Sequence, residues 1–197
     1  MDKKQEENSQ LIPALDDKLP KDASPFTIAA NQKILQELNL ANTQDYTDAQ
    51  RGFMATLTAD GQVTNEPVDE VKIMNNKPGA PPVPVWNLGL YSFLSGTQPQ
   101  QAPYTVNPSL WRQAQINIYN GLFQVTTRTY ELNGNQVTKG IYQVRAFDLS
   151  NMTIVETDAG IIVIDPLISS ETAKAAVNLY YQARNLTPQQ APVVAVI

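Results

Sequence analysis

Residues 161–197, IIVIDPLISSETAKAAVNLYYQARNLTPQQAPVVAVI, decide the fold class of this chain. The continuous apolar run Ile161–Ile164 is typical of a strand that is buried on both faces. Ser170 then predicts the capped start of a helix over about 171–184, with small and apolar residues on one face. Val193–Ile197 repeats the buried-strand pattern. The order strand, helix, strand predicts a βαβ unit whose two strands run parallel.

The residues before this unit predict an antiparallel set of strands. Leu122–Glu131 and Val137–Ala146 are rich in threonine, valine and aromatic residues, and Asn133–Asn135 supplies a turn between them. Met152–Thr157 predicts another strand, which the turn Asp158–Gly160 joins to the apolar run of the βαβ unit. We therefore expect one sheet to extend through the second half of the chain.

The first half of the chain predicts helices. Ser24–Pro25 is a helix N-cap followed by a proline, which predicts an amphipathic helix over about 25–39. A second short helix is expected over Asp45–Met54, interrupted or ended near Gly52. The apolar face of the first helix is predicted to contain Phe26, Ala30, Ile34, Leu35 and Leu38.

A long irregular connection is expected over 58–106. Four prolines fall within 78–84, and neither a helix nor a central strand tolerates this density. A short apolar stretch, Val85–Leu94, interrupts the connection. Asn107–Pro108 then repeats the cap-and-proline signal and predicts a helix over 108–119.

The 197-residue chain contains no cysteine and no histidine. These absences exclude disulfides, thiolate nucleophiles and a Ser-His-Asp triad. Zinc prefers nitrogen and sulfur ligands, so these residues alone cannot form a conventional zinc site. Carboxylates remain available for Mg²⁺ or Ca²⁺. We therefore expect no zinc cofactor in this chain by itself.

The net charge of −5 argues against a nucleic-acid partner. No apolar run approaches the roughly 20 residues that a transmembrane helix needs. The polar start at Met1 shows no signal peptide, but the removal of a leader would leave a similar start. Localisation therefore stays open between periplasmic or secreted and cytoplasmic.

Four motifs carry a resemblance to a known family. They are DAQRGF (48–53), NPSLWRQ (107–113), GIYQVRAFDLSNMT (140–153) and IIVIDPL (161–167). Together they resemble the N-terminal portion of the alkyl- and aryl-sulfatases of the metallo-β-lactamase superfamily, from about residue 25 to the last residue.

The resemblance implies zinc-dependent hydrolysis of sulfuric esters such as long-chain alkyl sulfates. It also implies that the zinc ligands begin with a His-x-His-x-Asp-His motif just after a strand like Val193–Ile197, where this sequence ends. We therefore expect an N-terminal fragment of such a hydrolase that is inactive alone. Members of the family carry a dimerisation region, so a homodimer stays open.

The expected fold class is mixed α/β. We expect a mobile tail over 1–23, a helical and loop-rich region over 24–121, and an incomplete metallo-β-lactamase-type αββα half over 122–197. An exposed last strand predicts poor solubility or oligomerisation. Two alternatives stay open, a non-catalytic module that acts with a partner or forms dimers, and an unrelated carboxylate-dependent enzyme.

Two candidate site residues lie in the second half of the chain. The resemblance implies that Asp165 supports the metal site by orienting a ligand through hydrogen bonds. The alternative is an aspartate at a strand end that accepts bonds from nearby backbone N–H groups. Asn151 is expected either to face the active cleft of a complete enzyme or to stabilise the turn before it.

Other candidates lie on helices or carry aromatic rings. Trp111 and Arg112 are residue types favoured at interfaces, and the alternative is a core tryptophan beside a solvated or ion-paired arginine. Ser170 is expected to cap a helix rather than to receive an anion. Two roles stay open for the aromatic residues Tyr91, Phe93, Tyr104 and Tyr119. They either pack in the core or line an apolar channel for an alkyl chain.

Overall fold

The computed structural model describes residues 21–75, 77–79 and 81–197, so most of the expected tail, residues 1–20, lies outside the described residues. The helices are α1 (Pro25–Glu37), α2 (Gln44–Gln50), α3 (Pro108–Asn117) and α4 (Ser170–Ala183). The strands are β1 (Phe53–Leu57), β2 (Val63–Thr64), β3 (Lys72–Met74), β4 (Pro84–Asn87), β5 (Gly121–Leu132), β6 (Asn135–Arg145), β7 (Met152–Glu156), β8 (Ile161–Ile164) and β9 (Val193–Val196). Short 3-10 helices cover Leu88–Leu94 and Pro99–Gln101.

A seven-stranded sheet organises the fold, with the strand order β2-β1-β5-β6-β7-β8-β9. Its neighbouring strands are antiparallel except for β8 and β9, which pair with each other in parallel. In the sequence, α4 connects these two strands. The mixed α/β class and the βαβ unit are therefore confirmed. β1 and β2 come from the first half of the chain and extend the same sheet, so the division near residue 121 stays a prediction.

The main core lies between one face of the sheet and α4. On this face Tyr142 of β6 contacts Tyr180 of α4, with ring centroids 5.7 Å apart. The side chains of this layer are almost completely removed from water, which is the main favourable term in folding. Its other buried members include Val144, Met152, Ile154, Ile161, Val163, Ala176 and Leu179.

The prediction that β8 and β9 are buried on both faces is wrong within the described residues. In β8, Ile161 and Val163 are buried whereas Ile162 and Ile164 are only half-buried. In β9, Val196 is 61% exposed. In the described part of the chain β9 is an edge strand whose one partner is β8, so apolar composition here does not bring burial.

Helix α1 begins as predicted but docks differently. The Ser24 hydroxyl accepts a hydrogen bond from the backbone N–H of Thr27 at 3.2 Å, which confirms the cap. The expected apolar face is confirmed only in part, because Ile34 and Leu35 are half-buried whereas Phe26 is 88% exposed and Ala30 and Leu38 are also exposed. The buried residue is Asn31, whose side-chain amide donates to the carbonyl of Tyr104 at 2.8 Å. The inward face of α1 therefore contains a polar contact with a distant loop as well as apolar residues.

Residues 45–57 also differ from the expectation. Helix α2 ends at Gln50, and Phe53–Leu57 forms β1 rather than continuing the helix. Gly52 has φ +78°, and a Cβ there would overlap the carbonyl oxygen of Gln124. The glycine therefore turns the chain from the helix into the sheet at close contact with β5.

The other helix predictions hold with one correction. Helix α3 begins after Asn107, whose side chain accepts from the backbone N–H of Ser109 at 2.9 Å. Helix α4 is capped by Ser169, one residue before the expected Ser170, and the Ser169 hydroxyl accepts from the N–H of Thr172 at 3.1 Å. No helix in the described part of the chain is long and apolar enough to cross a membrane.

Candidate functional site

The carboxyl ends of β8 and β9 lie side by side, and Asp165 follows directly after β8. Its backbone N–H donates to the carbonyl of Ile197 at 3.0 Å. Asp165 has φ +54° and Leu167 has φ +71°, so two left-handed residues flank Pro166. Non-glycine residues rarely adopt this conformation. The tight turn leaves Asp165 exposed at the carboxyl ends of the strands, where α/β proteins concentrate their ligand sites.

A buried carboxylate, Asp148, holds this turn in place. One carboxylate oxygen accepts from the N–H of Ser150 at 2.8 Å. The other accepts from the N–H of Ile168 at 2.7 Å and from the hydroxyl of Thr172 at 3.1 Å. Asp148 is 8% exposed, and it joins the turn after β6 to the segment that follows Asp165.

Sequence reasoning missed Asp148 and assigned the turn-stabilising alternative to Asn151. The signal was present, because an aspartate two residues before Ser150 forms the kind of turn in which its side chain accepts from the backbone. Asn151 is exposed and lines a cavity, and the described residues give its side chain no hydrogen bond. Its expected cleft-facing role therefore stays a prediction.

That cavity has a volume of about 490 Å³ and lies between α3, the Leu88–Leu94 helix and the end of β6. Its wall is mainly apolar and carries a few polar side chains. The apolar members are Ala49, Trp86, Leu88, Tyr91, Leu94, Ala114, Ile116, Ile118, Tyr119, Ala146 and Leu149, and the polar ones are Asn117, Gln143, Arg145, Asp148 and Asn151.

Arg145 is the cation of this cavity. Its guanidinium lies 4.4 Å over the ring centre of Phe123 and donates to the Gln143 side-chain oxygen at 2.7 Å and to the Ala49 carbonyl at 3.1 Å. Burial lowers the pKa of Arg145 from its ordinary value. Sequence reasoning missed this residue, since alternate positions on a strand indicate only that Gln143 and Arg145 share a face.

Trp111 and Arg112 make contacts within the chain. The indole N–H of Trp111 donates to the hydroxyl of Thr97 at 3.1 Å. Arg112 donates to the carboxylate of Asp45 at 2.6 Å and stacks 5.2 Å from the ring centre of Tyr46. Arg112 therefore holds α2 against α3. The interface role stays a prediction for both residues.

The aromatic side chains considered for an apolar channel fall into two groups. Tyr91 and Tyr119 line the cavity. Phe93 instead contacts Trp111 with ring centres 5.7 Å apart, and Tyr104 is exposed beside α1. The fold therefore brings two of these four rings to a common apolar wall.

The side chains at the β8 and β9 ends do not fit a zinc site. The sequence lacks histidine and cysteine, and Asp165 supplies one carboxylate. Within residues 21–75, 77–79 and 81–197 there is no group of three or more acidic, histidine or cysteine residues that is arranged to hold a metal ion.

No family model matches the chain. Three individual proteins are similar to it in sequence, and all three are named as sulfatases. A linear primary-alkylsulfatase of a Pseudomonas species is 44% identical over 177 residues, which are 90% of this chain and 21% of that protein. An alkyl/aryl-sulfatase of Saccharomyces cerevisiae is 36% identical over 168 residues, 85% of this chain and 21% of that protein. The chain thus spans about a fifth of the length of the curated relatives it matches.

A solved structure extends this similarity to the fold. The stereoselective inverting secondary alkylsulfatase Pisa1 from a Pseudomonas species superposes with a TM-score of 0.62 at 38% sequence identity. The superposition covers 89% of this chain and 22% of that one.

Proposed function

This chain is a homologue of the alkylsulfatases, and on that premise we propose that it forms part of a hydrolase that cleaves alkyl or aryl sulfate esters. The observation that carries the proposal is the similarity to the primary-alkylsulfatase along 90% of the chain, at 44% identity. The substrate class is a small amphiphilic ester that carries an anionic sulfate group. We also propose that the fold belongs to the metallo-β-lactamase superfamily, as the sequence resemblance implies.

The proposed contribution of this chain is a supporting one. Asp165 lies exposed beyond β8, next to the end of β9. In the complete enzyme its carboxylate would accept a hydrogen bond from a metal ligand and orient that ligand. Asp148 accepts hydrogen bonds from Ile168 and Thr172 in the segment that follows Asp165, so these bonds fix the position of the turn that carries Asp165.

Zinc is the proposed cofactor of the complete enzyme, where it would activate water for attack on the ester. The donor set of this chain does not fit zinc, so the ligands would come from polypeptide outside this sequence. We expect the chain alone to bind no stoichiometric zinc and to release no sulfate.

A second candidate is a non-catalytic module that acts with a partner or pairs with a second copy. The exposed edge strand β9 favours it, because an edge presents unpaired N–H and C=O groups to another chain. In this form the chain would restore activity to a partner that carries the histidine motif.

The test measures sulfate release from decyl sulfate and zinc content for the purified chain. The same assays are then run on the chain mixed with a polypeptide that carries the His-x-His-x-Asp-His motif. We expect neither zinc nor turnover alone, and chelator-sensitive sulfate release from the mixture. Asp165→Asn should lower that release at least tenfold, whereas the exposed control Asp69→Asn should leave it unchanged.

Chelator-sensitive turnover by the chain alone would contradict its proposed inactivity. No sulfate release from either the mixture or the protein purified from its native source would contradict the sulfatase assignment. The intact mass of the native protein separates the two candidates, because the first expects a mass well above 21.7 kDa, with the histidine motif in the same polypeptide, and the second expects a mass of 21.7 kDa.

A further inference from the structure

We propose that the cavity between α3 and β6 binds an amphiphilic organic anion, with its aliphatic chain along the apolar wall and its head group on Arg145. The shared ligand chemistry is a linear chain that ends in a sulfate or a carboxylate. Preference for the sulfate rests on the proposed function, whereas the site itself rests on the cavity and its charges.

The first argument is the charge of Arg145. The other partly buried arginines, Arg112 and Arg184, each pair with a carboxylate, Asp45 and Glu156 respectively. Among the residues that the structure describes, Arg145 has no acidic group within 4.0 Å, and both of its hydrogen-bond acceptors are neutral. A half-buried cation without a counter-charge is costly, and a bound anion would remove that cost.

The second argument is the surplus of hydrogen-bond donors. A guanidinium has five N–H donors, and the described contacts of Arg145 use two of them. Gln143 gives its oxygen to Arg145, so its NH₂ group is left as a donor. The Asn151 amide also lines the cavity. Donors of this kind recognise the oxygens of a sulfate or carboxylate.

Among the described residues, Asp148 is the one acidic residue of the cavity wall, and its charge opposes an anion. Its oxygens, however, accept from the N–H and hydroxyl of Ser150, the N–H of Ile168 and the hydroxyl of Thr172. Four donors therefore already surround this carboxylate. Among the described residues of the wall, the charge that faces no opposite charge belongs to Arg145, whose guanidinium is otherwise stacked on the Phe123 ring.

The third argument is the shape and polarity of the remaining wall. The volume of about 490 Å³ lies within the range of about 300–1,000 Å³ that is typical of small-molecule sites. Leu88, Leu94 and Ala114 supply aliphatic surface, and Trp86 is fixed in the wall by its indole N–H, which donates to the Ala146 carbonyl at 2.8 Å. Leu149 is 80% exposed at the rim, so a chain can enter there.

The test is titration calorimetry of the full chain with decyl sulfate below its micelle concentration, beside tryptophan fluorescence in a Trp111→Phe background, which leaves Trp86 as the emitting indole. Decanoate tests the carboxylate head, decanol tests the chain alone and inorganic sulfate tests the head alone. We expect one decyl sulfate per chain, with binding at least tenfold tighter than that of decanol or inorganic sulfate.

Two variants separate the parts of the site. Arg145→Gln removes the charge and should weaken decyl sulfate binding at least tenfold, and Ala114→Phe keeps the charge but fills the cavity and should weaken it as strongly. Arg128→Gln, on the β5 strand away from the cavity, is the matched control and should bind like the parent chain. Circular dichroism of each variant establishes that it is folded.

Equal affinity for decyl sulfate in the parent and in either folded cavity variant would overturn the proposal, as would equal affinity for decanol. Binding of several decyl sulfates with no saturable single site would also overturn it. Decanoate bound in preference to decyl sulfate supports the anion site and contradicts the sulfate head group, so it separates this site from the proposed sulfatase function.

Discussion

The hydroxyl of Tyr180 on α4 donates a hydrogen bond of 2.8 Å to the buried carboxylate of Glu156 on β7. The same oxygen accepts from Arg184 at 3.0 Å, and the other accepts from the backbone N–H of Gly140 at 2.8 Å. Arg184 also lies 5.1 Å over the ring centre of Tyr142. One carboxylate therefore ties the helix of the βαβ unit to two strands of the sheet.

Glu156→Gln should destabilise the fold by about 3 kcal/mol, because it leaves the Arg184 charge without its partner. Urea unfolding followed by circular dichroism measures the free energy of unfolding. The control Glu131→Gln removes an exposed carboxylate from β5 and should stay within about 0.5 kcal/mol of the parent. Equal stability of the two variants would show that the Glu156 network contributes nothing net.

Stability should fall steeply above pH 10, with Tyr180 as a main contributor. Burial, and then the hydrogen bond to Glu156, raises the pKa of Tyr180 above its ordinary value of about 10. The unfolded phenol ionises first, so stabilisation by the protonated phenol is complete below that value and is lost as the pH rises. The expected loss is about 1.4 kcal/mol per pH unit for this tyrosine.

Urea titrations between pH 8 and 11 measure this slope. Tyr180→Phe should flatten it, whereas Tyr104→Phe, which changes an exposed ring, should not. A slope that is the same in the parent and in Tyr180→Phe would contradict the assignment.

Asp148→Asn should loosen the segment that carries Asp165. An amide has one acceptor oxygen in place of two, so the donors at Ser150 and Ile168 can no longer both be satisfied. We expect a loss of about 2–3 kcal/mol and faster hydrogen exchange at those two amides. The exposed Asp69→Asn is the control, and protection of both amides retained in Asp148→Asn would refute the anchor.

Gly160→Ala should disturb the contact between the turn before β8 and the start of β9. Gly160 has φ +146°, and a Cβ there would overlap the carbonyl oxygen of Pro192, which accepts from the N–H of Ile161 at 2.8 Å. We expect a loss of about 2–3 kcal/mol in urea unfolding. Gly61→Ala separates strain from overlap, because Gly61 has φ +80° but open space around it, and it should cost only about 1 kcal/mol.

The β9 edge should make the isolated chain self-associate. Val196 is largely exposed on an edge strand that has one partner, so Val196→Lys should lower the apparent mass at high protein concentration in sedimentation or light scattering. Val125→Lys, which changes a similarly exposed valine on the separate strand β5, should not. A parent chain that stays monomeric at all concentrations would rule out association through this edge.

The sequence predicted those features that neighbouring residues control. The caps Ser24 and Asn107 mark the starts of α1 and α3, because each side chain bonds an N–H within three residues. The strand, helix and parallel strand over 161–197 also follow from local pattern. Asp165 was assigned by resemblance, and the structure adds its left-handed turn beside Ile197.

Burial and the candidate cavity depended on tertiary structure. Local periodicity cannot say whether an apolar stripe finds a covering element, so it wrongly predicted an inward Phe26 on α1 and a buried strand β9. Arg145 meets Ala49 across 96 residues of sequence, and Asp148 meets Thr172 across 24. Local sequence therefore determined where elements begin and end, because caps and turns act over a few residues. Only the tertiary structure decided which charges are compensated and which faces are covered, because these depend on partners that the folded chain brings from far away.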